Sequence, residues 1–209
     1  MTLRGLYAIT PDGMAREALI ERAERALVGG ARLIQYRSKD ADPKRRAEAA
    51  HALAALCHRH GAAFIVNDDV ALALAVDADG AHLGREDGDL VAARAQLHGK
   101  LLGASCYDRI DLARAAVAAG ADYVAFGSVF ASPTKPDAVR APLSLFAQAR
   151  PLGVPLCAIG GITAQNAPEL IRAGADMLAV VSDLFDSHDV TARARSYARL
   201  FDSVTVTTP

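Results

Sequence analysis

The sequence has few of the residues that mark several protein classes. Its three cysteines, Cys57, Cys106 and Cys157, lie far apart and include no CxxC pair. An odd number of cysteines without an export signal predicts reduced, packed thiols in a cytoplasmic protein. The formal net charge is only −1 and the basic residues are scattered, which favours neither a nucleic-acid partner nor an anionic membrane surface. No apolar run reaches the roughly 18 residues of a membrane helix.

The composition instead predicts one large core. A chain of 209 residues that is 52% hydrophobic buries roughly 70% of the surface that it exposes when unfolded. We therefore expect a single domain over residues 1–209, with 203–209 as a tail, and a small polar ligand. Eight strand-like segments alternate with alanine-rich amphipathic ones: "GLYAIT", "RLIQYR", "AFIVN", "GAHLG", "LLGAS", "YVAFG", "PLCAIGG" and "MLAVVS". Helices are predicted over Ala15–Val28, Pro43–His60, Leu90–Leu97, Asp108–Ala119, Ala164–Ala173 and Val190–Phe201.

Similar phrases join several helices to the next strand. "GGARLI", "HGAAFI", "ADGAHL", "AGADYV" and "AGADML" each place glycine where a helix needs a left-handed C-terminal cap. Strict alternation of strand and helix implies parallel crossovers, and eight units in this length predict an α/β fold of the (β/α)8, or TIM-barrel, type. An open doubly wound sheet is the alternative.

Polar residues follow most of the predicted strands, where catalytic groups of such barrels lie. Gln35, Arg37 and Lys39 alternate after the second strand and are expected to face the same side. Asn67 and Asp68 follow the third strand, Asp87 the fourth, Ser105 the fifth, and Lys135 lies beyond the sixth. Carboxylates beside cations at one mouth indicate Mg²⁺ that bridges Asp68 and Asp87 to a diphosphate.

Each of these residues also has an ordinary structural interpretation. Arg37 and Lys39 could be solvated loop charges, Asp68 could cap the helix that begins in "DVALALAV", and Asp87 or Asp89 could cap the next one. His82 lies within a strand, and a packed or hydrogen-bonded core histidine is favoured over a ligand. Only convergence of the strand ends at one barrel mouth favours a functional role.

The last two strand ends predict a phosphate cup. In "IGGIT", Gly160 and Gly161 let the backbone approach an anion, and "VVS" presents Val181 and Ser182 at the start of a short helix. Tight turns would also explain the glycines. By alternation, Ser182 faces the mouth and Asp183 turns away from it.

These motifs together resemble the thiamine phosphate synthase (thiamine-phosphate pyrophosphorylase) family over nearly the whole chain. They are "QYRSK" at 35, "VNDD" at 66, "DGAHLGREDGD" at 79, "LLGASCYD" at 101, "FGSVFASPTKPDAVRAPL" at 126, "AIGGIT" at 158 and "VVSDLF" at 180. The resemblance implies a TIM barrel that joins a hydroxymethylpyrimidine diphosphate to a thiazole phosphate and releases pyrophosphate. A carbocation formed by loss of diphosphate would be captured by the thiazole nitrogen.

The resemblance also implies roles for individual residues. Catalysis would depend on Arg37, Lys39 and Lys135, and one Mg²⁺ per subunit would be held by Asp68 and Asp87. The pyrimidine diphosphate would contact Gln35, Tyr36, Arg37, Ser38, Lys39, Asn67, Ser105 and Lys135. The thiazole phosphate would contact Ser132, Pro133, Thr134, Gly161, Val181 and Ser182. Arg85, Ser132 and Asp183 depart from the usual family pattern, where Gln, Thr and Ala are frequent.

Other functions remain open from the sequence. A thiazole tautomerase or a regulatory relative of the same barrel would have little need of the diphosphate residues. A class I aldolase would need a Schiff-base lysine, for which Lys39 and Lys135 are the candidates near strand ends. The partners expected are small-molecule substrates, and a homodimer is one expected assembly.

Overall fold

The computed structural model describes residues 3–131 and 139–203 and forms a closed parallel barrel. The strands are β1 Gly5–Ile9, β2 Leu33–Tyr36, β3 Ala63–Asn67, β4 Gly80–Leu83, β5 Leu101–Tyr107, β6 Tyr123–Phe126, β7 Leu156–Ile159 and β8 Met177–Val180. Each strand pairs in parallel with the next along the chain, and β1 pairs with β8 to close the barrel. The predicted (β/α)8 fold is confirmed, and the open sheet is excluded.

The helices in the described part of the chain surround this barrel. They are α1 Arg16–Val28, α2 Pro43–His60, α3 Val70–Ala75, α4 Leu90–Gln96, α5 Ile110–Ala118, α6 Ser144–Ala149, α7 Ala167–Ala173, α8 Ser182–Phe185 and α9 Val190–Ser203, with a 3₁₀ turn at Arg150–Leu152. Among the helices described, none is long and apolar enough to cross a membrane. The predicted helices lie within a few residues of the observed ones.

Alternation along the strands separates two packed layers. Tyr7, Leu33 and Ile65 belong to a small cluster that fills the barrel, whereas their neighbours join a larger cluster with the helices. Leu6 and Ile34 are examples of the second set, and both are fully buried. Because both faces of the sheet are buried, the strands read as nearly continuous apolar runs.

The glycine phrases between helices and strands have more than one structural role. Gly61 and Gly174 adopt positive φ at the C-terminal caps of α2 and α7, as predicted. The prediction is wrong for Gly80, which is the first residue of β4 and does not have a positive φ. There a Cβ would overlap the carbonyl of Leu101 on β5, so glycine permits close approach of the two strands.

Aspartates in the same phrases fasten the lower end of the barrel, away from the predicted mouth. The Asp122 carboxylate accepts a hydrogen bond from the Leu102 amide of β5 at 2.7 Å and is paired with Arg94 at 2.9 Å. Asp79 and Asp176 accept in the same way from the amides of Phe64 and Leu156. Each aspartate precedes a strand and binds the neighbouring strand, so the repeat specifies strand pairing as well as helix ends.

We expect Asp122→Ala to lower the free energy of unfolding by about 1.5–3 kcal/mol, because it leaves an amide and a guanidinium without their charged acceptor. Asp122→Asn keeps an acceptor oxygen and is expected to lose less. Urea unfolding measures both, with Asp202→Ala at an exposed position of α9 as the control. An Asp122→Ala loss no larger than that of the control would contradict this role.

Candidate functional site

Two carboxylates meet at the ends of β3 and β4. Asp68 has a backbone φ of 63°, in the left-handed region that residues other than glycine seldom adopt, and its amide donates to the His82 carbonyl at 2.9 Å. Asp87 accepts a hydrogen bond from the Gly84 amide at 2.8 Å. Burial, followed by a hydrogen bond to Asp87 and repulsion from its charge, raises the pKa of Asp68 to about 7. The pair therefore favours a shared proton or a bound cation.

The neighbouring aspartates take the structural roles that the sequence left open for this pair. Asp69 caps α3 by accepting from the Leu72 amide at 2.8 Å, and Asp89 caps α4 by accepting from the Ala92 amide at 2.7 Å. The alternative in which Asp68 is the cap of α3 is therefore wrong. Asp87 likewise binds within its own loop, which leaves both carboxylates at the mouth.

The donor set of this pair suits Mg²⁺. Carboxylate oxygens are the ligands that this ion prefers, and it commonly takes only one or two from the protein with the rest from phosphates and water. In the described part of the chain, no group of three or more His, Cys, Asp or Glu residues could hold a metal. A pair of carboxylates thus fits an ion that is completed by a phosphorylated ligand.

The cations after β2 are organised by the loop after β1. The Arg37 guanidinium pairs with the Asp12 carboxylate, whose other oxygen accepts from the Lys39 amide at 2.9 Å. The Arg37 amide donates to the hydroxyl of buried Thr10 at 2.9 Å. The strand ends at Tyr36, so the alternation expected for Gln35, Arg37 and Lys39 does not extend past it.

Arg37 lies near enough to Asp68 to oppose the rise in the pKa of that carboxyl. It therefore belongs to the same charged cluster as the carboxylate pair. Lys39 is exposed, so its interpretation as a solvated charge stays open. Sequence reasoning missed Thr10 and Asp12, although "TPD" after β1 is itself a polar strand end.

Tyr36 and Ser38 lie toward the helix layer. The Tyr36 side chain is buried in the larger core cluster, and both residues line a cavity of about 20 Å³ that also borders Asn67 and Arg46. This packing does not favour the substrate contact predicted for the Tyr36 side chain. Asn67 ends β3 and donates its amide to the Asp68 carboxylate, so it supports the left-handed turn at Asp68.

A chain of hydrogen bonds crosses the inside of the barrel below the mouth. Gln35 Nε2 donates to the Tyr7 hydroxyl at 2.8 Å, and the Tyr7 and Tyr123 hydroxyls are 2.8 Å apart. His82 Nδ1 lies 3.1 Å from the Tyr123 hydroxyl, and its Nε2 lies 2.9 Å from Ser105 Oγ. The predicted ligand residues Gln35 and Ser105 are thus the two ends of one buried chain, which we call the interior relay.

The relay is uncharged at neutral pH. Burial lowers the pKa of His82 to about 4 and raises the pKa of Tyr7 and Tyr123. The prediction of a hydrogen-bonded core histidine is confirmed, since His82 is only 6% exposed and bonded through both nitrogens. Sequence reasoning missed both tyrosines. Their inward positions follow from alternation in "GLYAIT" and "YVAFG", and a buried hydroxyl needs a partner.

The ends of β7 and β8 form the predicted cup. Gly160 and Gly161 have φ values of 100° and 64°, and a Cβ at either position would overlap Ser128 or Ala131 of the loop after β6. Glycine is therefore required for turning and packing with or without a ligand. Val181 precedes α8, and Ser182 is the exposed first residue of that helix.

Asp183 faces α9 and not the cup. Its carboxylate accepts from Arg193 Nη1, with both oxygens at 3.1 Å, and from the Tyr197 hydroxyl at 2.6 Å. Its negative charge is thereby directed away from an anion bound beside Ser182. The orientation expected from alternation agrees with these contacts.

Part of the predicted site lies outside the described residues, namely Ser132, Pro133, Thr134 and Lys135. The chain on either side is fixed near the mouth, because the Phe130 amide donates to the Gly160 carbonyl at 3.1 Å and the Ala141 amide to the Ser128 carbonyl at 3.0 Å.

The raised pKa of Asp68 predicts a dependence of stability on pH. A folded pKa of about 7 against an ordinary 3.8 means that the folded protein holds a proton that the unfolded chain releases. Stability from this group is therefore complete below about pH 4 and is lost as the pH rises through 7.

We therefore expect Asp68→Asn to raise the Tm of the protein in EDTA at pH 8, and to have a smaller effect at pH 5. Asp89→Asn keeps its cap and serves as the control, with no such difference between the two pH values. A Tm change for Asp68→Asn that is equal at both pH values would show that the carboxylates do not repel each other.

Comparisons with known proteins agree with this geometry. Residues 6–184 match the family model described as thiamine monophosphate synthase. The chain is 61% identical over 203 residues to the thiamine-phosphate synthase of Thioalkalivibrio sulfidiphilus, with 96% of each chain covered. It is 58% identical to that of Chromobacterium violaceum, covering 95% of this chain and 97% of the relative. The solved thiamine phosphate pyrophosphorylase of Pyrococcus furiosus superposes with a TM-score of 0.84 at 34% identity, with 96% of each chain covered. The chain belongs to the thiamine monophosphate synthase family.

Proposed function

We propose that this protein is a thiamine-phosphate synthase, a transferase of the hydroxymethylpyrimidine group. The substrates are 4-amino-2-methyl-5-(diphosphooxymethyl)pyrimidine and a thiazole phosphate, and the products are thiamine phosphate and pyrophosphate. The observation that carries this proposal is the Asp68 and Asp87 pair beside Arg37, at the same barrel mouth as the cup of β7 and β8. A diphosphate and a monophosphate would each have a separate anchor there.

The diphosphate end depends on charge neutralisation. Asp68 and Asp87 would hold one Mg²⁺ per subunit, which supplies positive charge to the leaving diphosphate when bound. Arg37 and Lys39 would contact the same oxygens, and Lys135 is assigned there by the family resemblance alone. For Arg37 to do so, its guanidinium must share or leave the Asp12 carboxylate, which holds it in the ligand-free site.

The reaction would begin with heterolysis of the bond between the methylene carbon and the diphosphate oxygen. Both bonding electrons leave with the diphosphate, and the pyrimidine amino group stabilises the resulting carbocation. The lone pair of the thiazole nitrogen then forms the new C–N bond. No base is needed, which suits a mouth that offers cations, carboxylates and a neutral relay. Positioning and electrostatic stabilisation would supply most of the rate acceleration.

The thiazole phosphate would bind at the cup. The backbone at Gly161 and Val181 and the Ser182 hydroxyl would meet its oxygens, and the direction of Asp183 toward Arg193 and Tyr197 keeps a competing carboxylate away. Ser132, Pro133 and Thr134 are assigned to the same phosphate from the resemblance.

Incubation of the purified protein with both phosphorylated halves and Mg²⁺ tests the proposed function directly. Thiamine phosphate and pyrophosphate are expected in equal amounts. A tautomerase would instead interconvert thiazole forms without releasing pyrophosphate, and a regulatory relative would give no product. Either result would overturn the proposal.

The metal role predicts that EDTA abolishes turnover and that Asp87→Asn lowers kcat/KM by at least a hundredfold. Replacing one carboxylate weakens the hold on a charge worth several kcal/mol in the transition state. Asp89→Asn, at the cap of α4, is the matched control and is expected to stay within threefold of the unaltered protein. Full activity in EDTA would show that the carboxylates have another purpose.

The cup predicts an effect restricted to one substrate. Ser182→Ala should raise the KM for the thiazole phosphate on the order of tenfold, as expected for loss of one hydrogen bond to a charged group. The KM for the pyrimidine diphosphate should not change. Ser196→Ala, on α9, removes a hydroxyl bonded to the Arg193 carbonyl and serves as the control. An equal rise in both KM values would place Ser182 outside the cup.

A further inference from the structure

The interior relay has a direction. Gln35 Nε2 can only donate, and it donates to the Tyr7 hydroxyl at 2.8 Å. The Tyr7 hydrogen is then directed to the Tyr123 oxygen, which is 2.8 Å away, and the Tyr123 hydrogen to His82 Nδ1 at 3.1 Å. A neutral imidazole that accepts at Nδ1 carries its proton on Nε2, which donates to Ser105 Oγ. Within this chain every donor has an acceptor until Ser105 is reached.

Burial makes this direction consequential. Tyr7 and Tyr123 are at most 1% exposed and Gln35 is 3% exposed, so water cannot readily replace a missing partner inside the barrel. A reversed bond at any point would leave a buried hydroxyl hydrogen without an acceptor or two hydrogens facing each other. Such a defect costs about 1–3 kcal/mol. The relay therefore orders as a unit, with one direction throughout.

The backbone is shaped to admit the relay. A Cβ at Gly103 would overlap both the Tyr123 hydroxyl and His82 Nδ1, so the glycine of β5 leaves the space in which these two groups meet. The Tyr7 and Tyr123 rings pack edge to face with centroids 6.0 Å apart, and the His82 and Tyr123 rings lie 5.5 Å apart. The contacts are thus fixed by packing as well as by hydrogen bonds.

We propose that the interior relay selects the pyrimidine by its hydrogen-bond pattern, with Ser105 set as a donor and the Gln35 carbonyl oxygen left as an acceptor. This inference rests on the proposed function, because its ligand is the pyrimidine half of that reaction. A 4-aminopyrimidine presents an amino donor next to a ring-nitrogen acceptor, which matches this pattern. Its 4-oxo counterpart presents a carbonyl acceptor next to a ring N–H donor, which opposes it at both positions. Tyr7, Tyr123 and His82 act as positioning residues.

The first test needs no substrate. In ¹⁵N-labelled protein, we expect the His82 ring to carry its proton on Nε2 and to have a bare Nδ1, with its signals assigned by their loss in His82→Gln. This measurement holds whether or not the protein makes thiamine phosphate. A proton on Nδ1 would mean that the relay runs in the opposite direction, and it would overturn the proposal.

The second test measures binding, because the amino and oxo diphosphates would also differ in reactivity. Calorimetry with 4-amino-2-methyl-5-(phosphooxymethyl)pyrimidine and its 4-oxo counterpart gives a ratio of Kd values. Tyr123→Phe interrupts the relay without altering Gln35 or Ser105, so we expect at least a tenfold fall in preference for the amino compound. Tyr7→Phe should have the same effect and replaces Tyr123→Phe if that variant does not fold.

Tyr197→Phe is the matched control, since it removes an equally buried hydroxyl that is bonded to Asp183 near the cup. Its preference for the amino compound should equal that of the unaltered protein. If both relay variants kept that preference, or if the control lost as much, the relay would have only a structural role. Failure of the proposed function is distinguished from either result, because it would appear as absence of product in the unaltered protein.

Discussion

The approach of two carboxylates at neighbouring strand ends is the constraint on which the mouth of this barrel depends. Asp68 and Asp87 are brought together because β3 and β4 are paired in parallel, and because the left-handed turn at Asp68 is fixed by the His82 carbonyl. Two buried negative charges repel, so the site is more stable with a proton or a cation. Strain at Asp68 and the raised pKa of its carboxyl are thus properties of a site arranged for a positively charged ligand.

Below the mouth, the barrel contains a neutral polar structure. Most small TIM barrels are filled by layers of apolar side chains, whereas this one has the interior relay across it from β2 to β5. Its members are satisfied by one another, which removes the penalty for burying them. Charge is therefore confined to the mouth, where a diphosphate would leave, and direction without charge lies beneath it, where a pyrimidine ring would rest.

Much of the fold could be predicted from the sequence because its signals are local and repeated. Strand and helix periods, helix caps such as Gly61, and the small residues before strands all agree with one architecture. The aspartates of the same phrases were visible, but their hydrogen bonds to the preceding strand depend on register. Gly80 was misjudged for the same reason, since the close approach of β5 cannot be read from one segment.

The site was predictable in outline and not in detail. The rule that strand ends converge located Asp68 and Asp87, but sequence alone could not separate them from the true caps, Asp69 and Asp89, which have the same side chain nearby. The pairing of Arg37 with Asp12 joins two loops and gives no periodic signal. Likewise, each member of the relay reads as an ordinary inward residue, and only the assembled barrel shows the chain of donors and acceptors.

The most direct test of the account is whether the carboxylate pair binds a diphosphate through a divalent cation. Calorimetric titration with pyrophosphate should give at least tenfold tighter binding with Mg²⁺ than with EDTA, and Asp87→Asn should abolish that difference while the protein stays folded. Binding that is equally tight without Mg²⁺, or a difference that survives in Asp87→Asn, would contradict it.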